Sequence, residues 1–441
     1  MLAKVLSGTT IGLDGKIIEV EVDIAHRGFP IFTIVGLASK VVDEAKDRVR
    51  TAIINTSFQM PDSRITVNLA PANIPKKGSG FDLPIAIGIL AASGMVKQDL
   101  LKDSLFIGEL SLEGALRLIP GALSIVQKAK ETKFTRVFVP SENAYEVTLI
   151  DGIEIYSLKN LLDLILHLNE QVILEPQKKI DAYSLRNEEY AVDFSDIRGQ
   201  KQAKRALEIA AAGFHNVYLR GPPGTGKTLL SRAFPSILPP MNKTEILEVS
   251  EIYSCAGLLN NSPFIVTRPF RSPHHTISRI ALVGGGTTPS PGEISLAHRG
   301  VLFLDEFPEF PHSVLESLRQ PMEDGCIFIS RASGSLMFPS RFILLAASNP
   351  CPCGYLGHPK KQCICPPGAI IKYKKRLSGP LLDRIDLHID VPSVAISQLS
   401  LSARLYFKII KISQTIADLE GKSKIEIAHV SEALQFRSRD D

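Results

Sequence analysis

The chain has 441 residues, of which 44% are apolar and 22% charged, and 50 Lys and Arg face 46 Asp and Glu for a net charge of +4. These values suit a soluble globular protein of two or three domains, each able to bury its own core. So small a net charge excludes a basic surface spread over the whole chain, so any nucleic-acid surface must be local. Met1 to Gly15 lacks a long apolar stretch behind a basic end, and no secretory signal is expected. The most apolar run, Leu83 to Ala92, is too short to span a bilayer and is interrupted by Gly88. A cytoplasmic protein with no membrane partner is expected, with its six cysteines reduced rather than paired as disulfides.

Residues 1 to 170 read as a first, α+β domain. Lys16 to Val22 alternates apolar and polar residues as a strand does, and Ile31 to Val35 is a second β-rich run. Lys40 to Phe58 carries helical spacing through Val41, Ala45, Val49, Ala52 and Ile53. Ile65 to Leu69 reads as a strand and Pro84 to Ala92 as a small-residue helix. Phe106 to Leu110 and Arg117 to Ile119 read as paired strands, followed by a helix from Ala122 to Lys130. Strands at Arg136 to Pro140 and Ile153 to Tyr156 and a helix from Leu158 to Leu168 complete the domain.

Two stretches of this domain, Gly78 to Ile87 and Ile107 to Gly121, resemble the proteolytic domain of the Lon protease family. The resemblance puts the Lon nucleophilic serine at Asp82 and its lysine near Ser124. A serine–lysine dyad needs a hydroxyl and an amine that acts as its base. Asp82 offers no hydroxyl and Ser124 no amine, and the nearby hydroxyls of Ser79 and Ser124 suit turn or helix-surface positions equally well. The domain is therefore expected to be proteolytically dead and to serve docking, assembly or substrate guidance.

Residues 171 to 192 are polar enough for a linker, and a second unit runs from 193 to 395. At its centre Asn216 to Arg220 reads as a buried strand, followed by Gly221-Pro222-Pro223-Gly224-Thr225-Gly226-Lys227-Thr228-Leu229. This is a complete phosphate-loop pattern, Gly-x4-Gly-Lys-Thr, flanked by the strand and helix it requires. Gly224 and Gly226 allow positive φ, so that successive N–H groups turn inward as an anion nest. The helix starting near Lys227 adds unpaired N–H groups and its positive dipole end. Lys227 is placed to reach the β- and γ-phosphates of ATP, and Thr228 to ligate Mg²⁺.

Val301-Leu-Phe-Leu304 reads as a parallel strand buried on both faces, delivering Asp305 and Glu306 at its carboxyl end. Asp305 is expected to hold Mg²⁺ through water, and Glu306 to orient and deprotonate the attacking water. Phe342 to Ser348 is the next buried strand and ends at Asn349. Together these segments predict an α/β fold with a parallel sheet at its core, and they resemble the AAA+ ATPases. That resemblance implies a water-positioning role for Asn349 and a place near the adenine for Ile197 and Gly199. For the last two, an ordinary cap and core role fits as well. It also implies that Arg384, in Leu381-Leu-Asp-Arg-Ile-Asp-Leu387, reaches the ATP of a neighbouring subunit in a ring; an ion pair with Asp383 or Asp386 is the alternative. Arg404 falls at the second sensor position of the lid.

Cys351, Cys353, Cys363 and Cys365 form two C-x-C pairs on one loop, a set that suits tetrahedral Zn²⁺ although the gap is shorter than usual. An iron–sulfur cluster fits less well. Cys255 and Cys326 are expected to be buried packing residues. Cys326 to Ile329 and Leu336 to Phe338 read as a hairpin with Arg331 near its tip. Lys360, Lys361, Lys372, Lys374, Lys375 and Arg376 form a local basic cluster that suits a phosphate backbone, though each alone is more often a solvated side chain.

Arg268-Pro-Phe-Arg-Ser-Pro-His-His-Thr276, Gly284 to Gly286, Pro291 to Gly300 and the cysteine loop together resemble the YifB/ComM group of Mg-chelatase-like AAA+ proteins over nearly the whole chain. The resemblance implies a hexameric DNA helicase that drives branch migration in recombination and natural transformation, with the hairpin projecting into a central pore. The alternatives are an Mg-chelatase-like motor that remodels a protein partner and a regulatory protein-unfolding module. His274 and His275 belong to this pattern, with no chemistry following from sequence and a core role equally open. The group is expected to carry on the order of sixty residues of helical lid between Val391-Pro-Ser and Leu401-Ser-Ala-Arg404. Here those segments nearly abut, so either residues 396 to 441 form a shortened lid or a disordered segment is absent from this sequence.

Overall fold

A computed structural model describes the chain except residues 1, 26–28, 38, 77, 182–183, 185–189, 260–261, 287–288, 332–333, 359–360, 393–408, 411–412, 419 and 436–441. Two sheets organise it. The first has seven strands, in the spatial order Phe32–Val35, Ile65–Ala70, Asp14–Ile24, Leu2–Ile11, Ser104–Phe106, Arg136–Pro140, Glu154–Leu158. Leu2–Ile11 and Asp14–Ile24 form an antiparallel hairpin at its centre, and the last four strands in the order run parallel.

The strand period of two explains how both faces of this sheet are covered. Ala3, Val5, Ile18, Val20 and Val22 share one core with the helices Ala45–Asn55 and Asp82–Ala92. Gly8 and Gly15 open the other face to Ile125 and Ser124 of the helix Ala122–Glu131. Every residue of Asp82–Ala92 is buried, which is why its sequence is apolar on all sides rather than on one stripe.

Some elements differ from their sequence reading. The expected helix over 40–58 divides into Lys40–Asp43 and Ala45–Asn55. Phe106 to Leu110 is two elements rather than one strand, because Gly108 exchanges backbone hydrogen bonds with Gly80 and Leu83. The first strand, Leu2–Ile11, and the helix Ser141–Val147 are added.

The second sheet has five parallel strands in the order Phe270–Arg271, Val301–Leu304, Ile343–Ser348, Val217–Arg220, Leu387–Asp390. Val301 and Phe303 face one apolar core, Leu302 and Leu304 the other. Residues buried on both faces explain the unbroken apolar run before Asp305. Parallel strands also bring their carboxyl ends to one edge, where loops collect.

The two units are fused by a third core. Met241, Ile246, Val249, Ile252, Phe264 and Leu296 of the second unit pack with Leu123, Val126, Val139 and Ile150 of the first. The Gly121 N–H donates to the Ser254 carbonyl at 3.0 Å, and Lys243 pairs with Asp151. The hairpin Cys326–Arg331 and Gly334–Pro339 rests Leu336 against the turn at Gly12, leaving the cross-strand pair Phe328 and Met337 exposed. Among the described residues no helix is long and apolar enough to cross a membrane.

Candidate nucleotide site and cysteine knuckle

The loop after Val217–Arg220 is shaped by backbone demands that only its glycines meet. A Cβ at Gly221 would stand 2.2 Å from the Val391 carbonyl oxygen, and Gly224 and Gly226 have φ of 79° and 90°. The helix Lys227–Ala233 then starts at the loop's end. A cleft of about 560 Å³ opens there, walled by residues 223–229, Arg232, Asp305, Glu306, Ser348 and Asn349.

Lys227 is buried, and its ammonium is folded onto the loop, donating to the carbonyls of Gly221 at 2.6 Å and Pro222 at 2.8 Å. Asn349 Oδ1 lies 3.4 Å from the same nitrogen. Burial lowers the Lys227 pKa to about 8, with Asp305 opposing the shift. The Thr228 hydroxyl donates to Asp305 Oδ2 at 2.8 Å. These two oxygens, expected from sequence to hold Mg²⁺, are thus already together. Asp305 Oδ1 accepts from the Glu306 N–H at 2.9 Å, and Glu306 sits at φ 54°, in the left-handed region, with its carboxylate exposed.

Other expected residues lie elsewhere. Ile197 is a core residue whose carbonyl accepts from Lys204, and Gly199 turns the chain at φ 73°; neither walls the cleft. Their neighbour Gln200 reaches the phosphate loop instead, donating to the Thr225 carbonyl at 3.2 Å and the Pro392 carbonyl at 2.8 Å. Arg384 pairs with Glu323 and donates to the Pro380 carbonyl, rather than pairing with Asp383 or Asp386. Its side chain stays 23% exposed. Arg404, Lys360 and the side chain of Arg331 lie outside the described residues. Lys361 lies over the Tyr355 ring, Arg376 pairs with Glu309, and Lys372 and Lys374 are exposed.

Sequence reasoning left the histidine pair without a role, and the fold gives it a neighbour. The strand Phe270–Arg271 lies beside Val301–Leu304, so the loop that follows it arrives at the same sheet edge as Glu306. His275 Nδ1 stands 3.5 Å from Glu306 Oε2, its ring 4.0 Å from that of His274 and edge-on to Phe310. The arginines of the same motif are structural: Arg268 donates to backbone carbonyls and Glu245, and Arg271 forks onto Glu293.

The four loop cysteines converge, with all four sulfurs within 4.8 Å of one another. Cys351 Sγ is 3.4 Å from that of Cys353 and 3.6 Å from that of Cys363. Zn–S bonds of about 2.3 Å at tetrahedral angles separate sulfurs by about 3.8 Å, so the set fits one metal ion. Backbone N–H groups of Cys353 and Leu356 donate to Cys365 and Cys351 sulfurs at 3.3 Å, as thiolate ligands require. Cys255 and Cys326 are half-buried rather than fully enclosed. Cys255 packs 3.4 Å from the Ser124 hydroxyl, and burial raises its pKa to about 12.

Asp82, at the position that the Lon resemblance gives to the nucleophile, is fully buried and held bidentately by Arg48 at 2.7 and 3.0 Å, with the Leu110 N–H at 3.2 Å. Ser79 donates to Glu109.

A parallel sheet whose carboxyl edge carries a glycine cradle, a buried lysine and two strand-end acids is the build of a P-loop ATPase core. Family profiles agree. Magnesium chelatase, subunit ChlI, matches residues 193–399; subunit ChlI of Mg-chelatase matches 20–143; and the ChlI C-terminal family matches 388–437. The competence protein ComM of Haemophilus influenzae is 41% identical over 501 aligned residues, covering 99% of this chain and 97% of its own. YifB of Escherichia coli, an uncharacterized protein, is 38% identical over 100% of this chain and 97% of its own. The chain belongs to the YifB/ComM family of Mg-chelatase-like AAA+ ATPases. An alignment of 501 positions to a 441-residue chain leaves at least 60 positions where this chain has no residue. More distantly, the magnesium-chelatase 38 kDa subunit of Cereibacter sphaeroides is 29% identical over 36% of this chain and 52% of its own.

Proposed function

We propose that the protein is an ATP- and Mg²⁺-dependent AAA+ motor that assembles as a hexamer and moves DNA, a helicase or translocase promoting branch migration in recombination or natural transformation. The observation that carries the ATP reading is the convergence of Lys227, Thr228, Asp305, Glu306 and Asn349 around one cleft. Lys227, resting on neutral carbonyls, is free to exchange them for phosphate oxygens that attract it more strongly. The loop N–H groups and helix start cradle the α- and β-phosphates. Thr228 and Asp305 are the groups that would hold Mg²⁺, which neutralises charge on the transferring phosphoryl group. Glu306 orients and deprotonates the attacking water, and Asn349 positions it against the γ-phosphate.

Arg384 completes the site of a neighbouring subunit after leaving Glu323, so the ring is the active unit. Zn²⁺ is the metal we assign to the four cysteines, and the first domain is assigned a docking or guiding role without proteolysis. The lid is read as shortened between Val391-Pro-Ser and Leu401-Ser-Ala-Arg404, where the sequence is brief. The DNA assignment rests on the relative named a competence protein and on exposed Lys372 and Lys374. Similarity to magnesium-chelatase subunits favours one rival, a motor that remodels a protein partner.

Turnover measured with and without DNA over a salt series separates the two. A motor tracking a phosphate backbone shows stimulation that falls steeply as salt rises. If DNA leaves turnover unchanged at low salt, the helicase reading fails.

A further inference from the structure

We propose that the metal held by the cysteine knuckle is a positioning element of the ATP site, so that metal and nucleotide bind cooperatively. This rests on the Zn²⁺ reading above and adds what the metal does. The knuckle is continuous with the strand Ile343–Ser348: Asn349 touches Lys227 at 3.4 Å, and Cys351 follows two residues later. The Ser348 carbonyl, at the start of the same segment, accepts from the Gly221 N–H at 3.2 Å. The knuckle then returns onto the phosphate loop from the side. At Gly354, between the two cysteine pairs, a Cβ would stand 2.7 Å from Pro223 Cδ and 3.7 Å from Asn349 Cγ. Leu356 and Gly357 share a second cleft with Gly221 and Pro222. One turn of the knuckle thus abuts both the cradle and the amide.

Cys363 and Cys365 come from the far side of the loop, and among the described residues their closest tie to the first pair is through sulfur. A metal bonded to all four sulfurs fixes the position of Gly354 against Pro223. Without it, four thiols exert no comparable hold, and the wall carrying Pro223 and Asn349 loses its support. Because the coupling is a difference in binding free energy, it must act in both directions: whatever the metal does for nucleotide affinity, nucleotide does for metal affinity.

The test uses the full chain and two readouts. Metal content by elemental analysis should give one zinc per chain; iron with sulfide, or no metal, overturns the zinc assignment itself. Zinc affinity is then titrated with a zinc-selective chelator, with and without a non-hydrolysable ATP analogue and Mg²⁺. Nucleotide should tighten zinc by about 10-fold, and zinc-stripped protein that keeps its helical circular dichroism should bind the analogue about 10-fold more weakly. If zinc is present and both affinities are independent of the other ligand, the coupling is wrong while the zinc assignment stands. Gly354→Ala keeps all four cysteines, so it should retain zinc and lose nucleotide affinity several-fold. Unchanged affinity in this variant also overturns the proposal.

Discussion

Each half of the molecule sets a carboxylate near a cation, and the two halves treat them in opposite ways. In the first domain Asp82 and Arg48 close on each other bidentately, and the Leu110 N–H adds a third bond. Among the described residues, the Asp82 carboxylate and the Arg48 guanidinium already have each other as partners there. In the second, Lys227 rests on two neutral carbonyls, Asp305 accepts from Thr228, and the Glu306 carboxylate is exposed beside His275. The charges are held apart around open space, and that separation is what a ligand of high negative charge with a divalent cation can exploit. Each place holds a buried charged group, Asp82 in the first and Lys227 in the second. What distinguishes a structural pair from a reactive site is whether the partners have met.

The largest expected effect breaks the open half. Lys227→Ala should abolish ATP turnover, by at least about 100-fold, since phosphoryl transfer depends on positioned charge. The variant should stay folded because the lysine's short hydrogen bonds go to two loop carbonyls, with Asn349 only at 3.4 Å; turnover retained at a tenth of the native rate would remove this cleft from the chemistry.

The closed half should respond in stability instead. Arg48→Ala leaves Asp82 buried without its partner and should cost about 3 kcal/mol, read by denaturant unfolding of the first domain. Replacing both at once, Arg48→Met with Asp82→Leu, should recover most of that loss, because a matched apolar pair needs no compensation. Equal losses in the single and double variants would mean that the pair is not what holds this region.

The smallest effect concerns the seam between the halves. Burial raises Glu146 and Glu251 to about 7, with Asn143 and Ser254 opposing the shift at Glu146 and the Glu248 carboxylate adding to it at Glu251. Both folded-state values lie above the unfolded value of 4.5, so the folded protein takes up protons first as pH falls. These two groups therefore favour the folded state increasingly from about pH 7 down to about pH 4.5. Calorimetry at pH 7.5 and 6.0 should show a smaller rise in Tm for the Glu146→Gln and Glu251→Gln variants than for the native chain. An identical rise would contradict the burial of these carboxyls at the seam.

What the sequence determined by itself was whatever is written in neighbouring residues. The phosphate loop needs its glycines, lysine and threonine within eight positions. A strand buried on both faces announces Asp305 and Glu306 by an unbroken apolar run, and two C-x-C pairs announce four sulfurs that converge. The family resemblance, drawn from such local patterns, was legible too. Tertiary structure alone decided what depends on distant segments meeting. Arg48 finds Asp82, His275 finds Glu306, Arg384 takes Glu323 instead of its neighbouring aspartates, and the first strand gains its place by ten residues of pairing with the second. Periodicity reports which face of an element is apolar, but not which other element that face will meet. A polar partner reached across the fold therefore leaves no mark in the local sequence, and only packing assigns it.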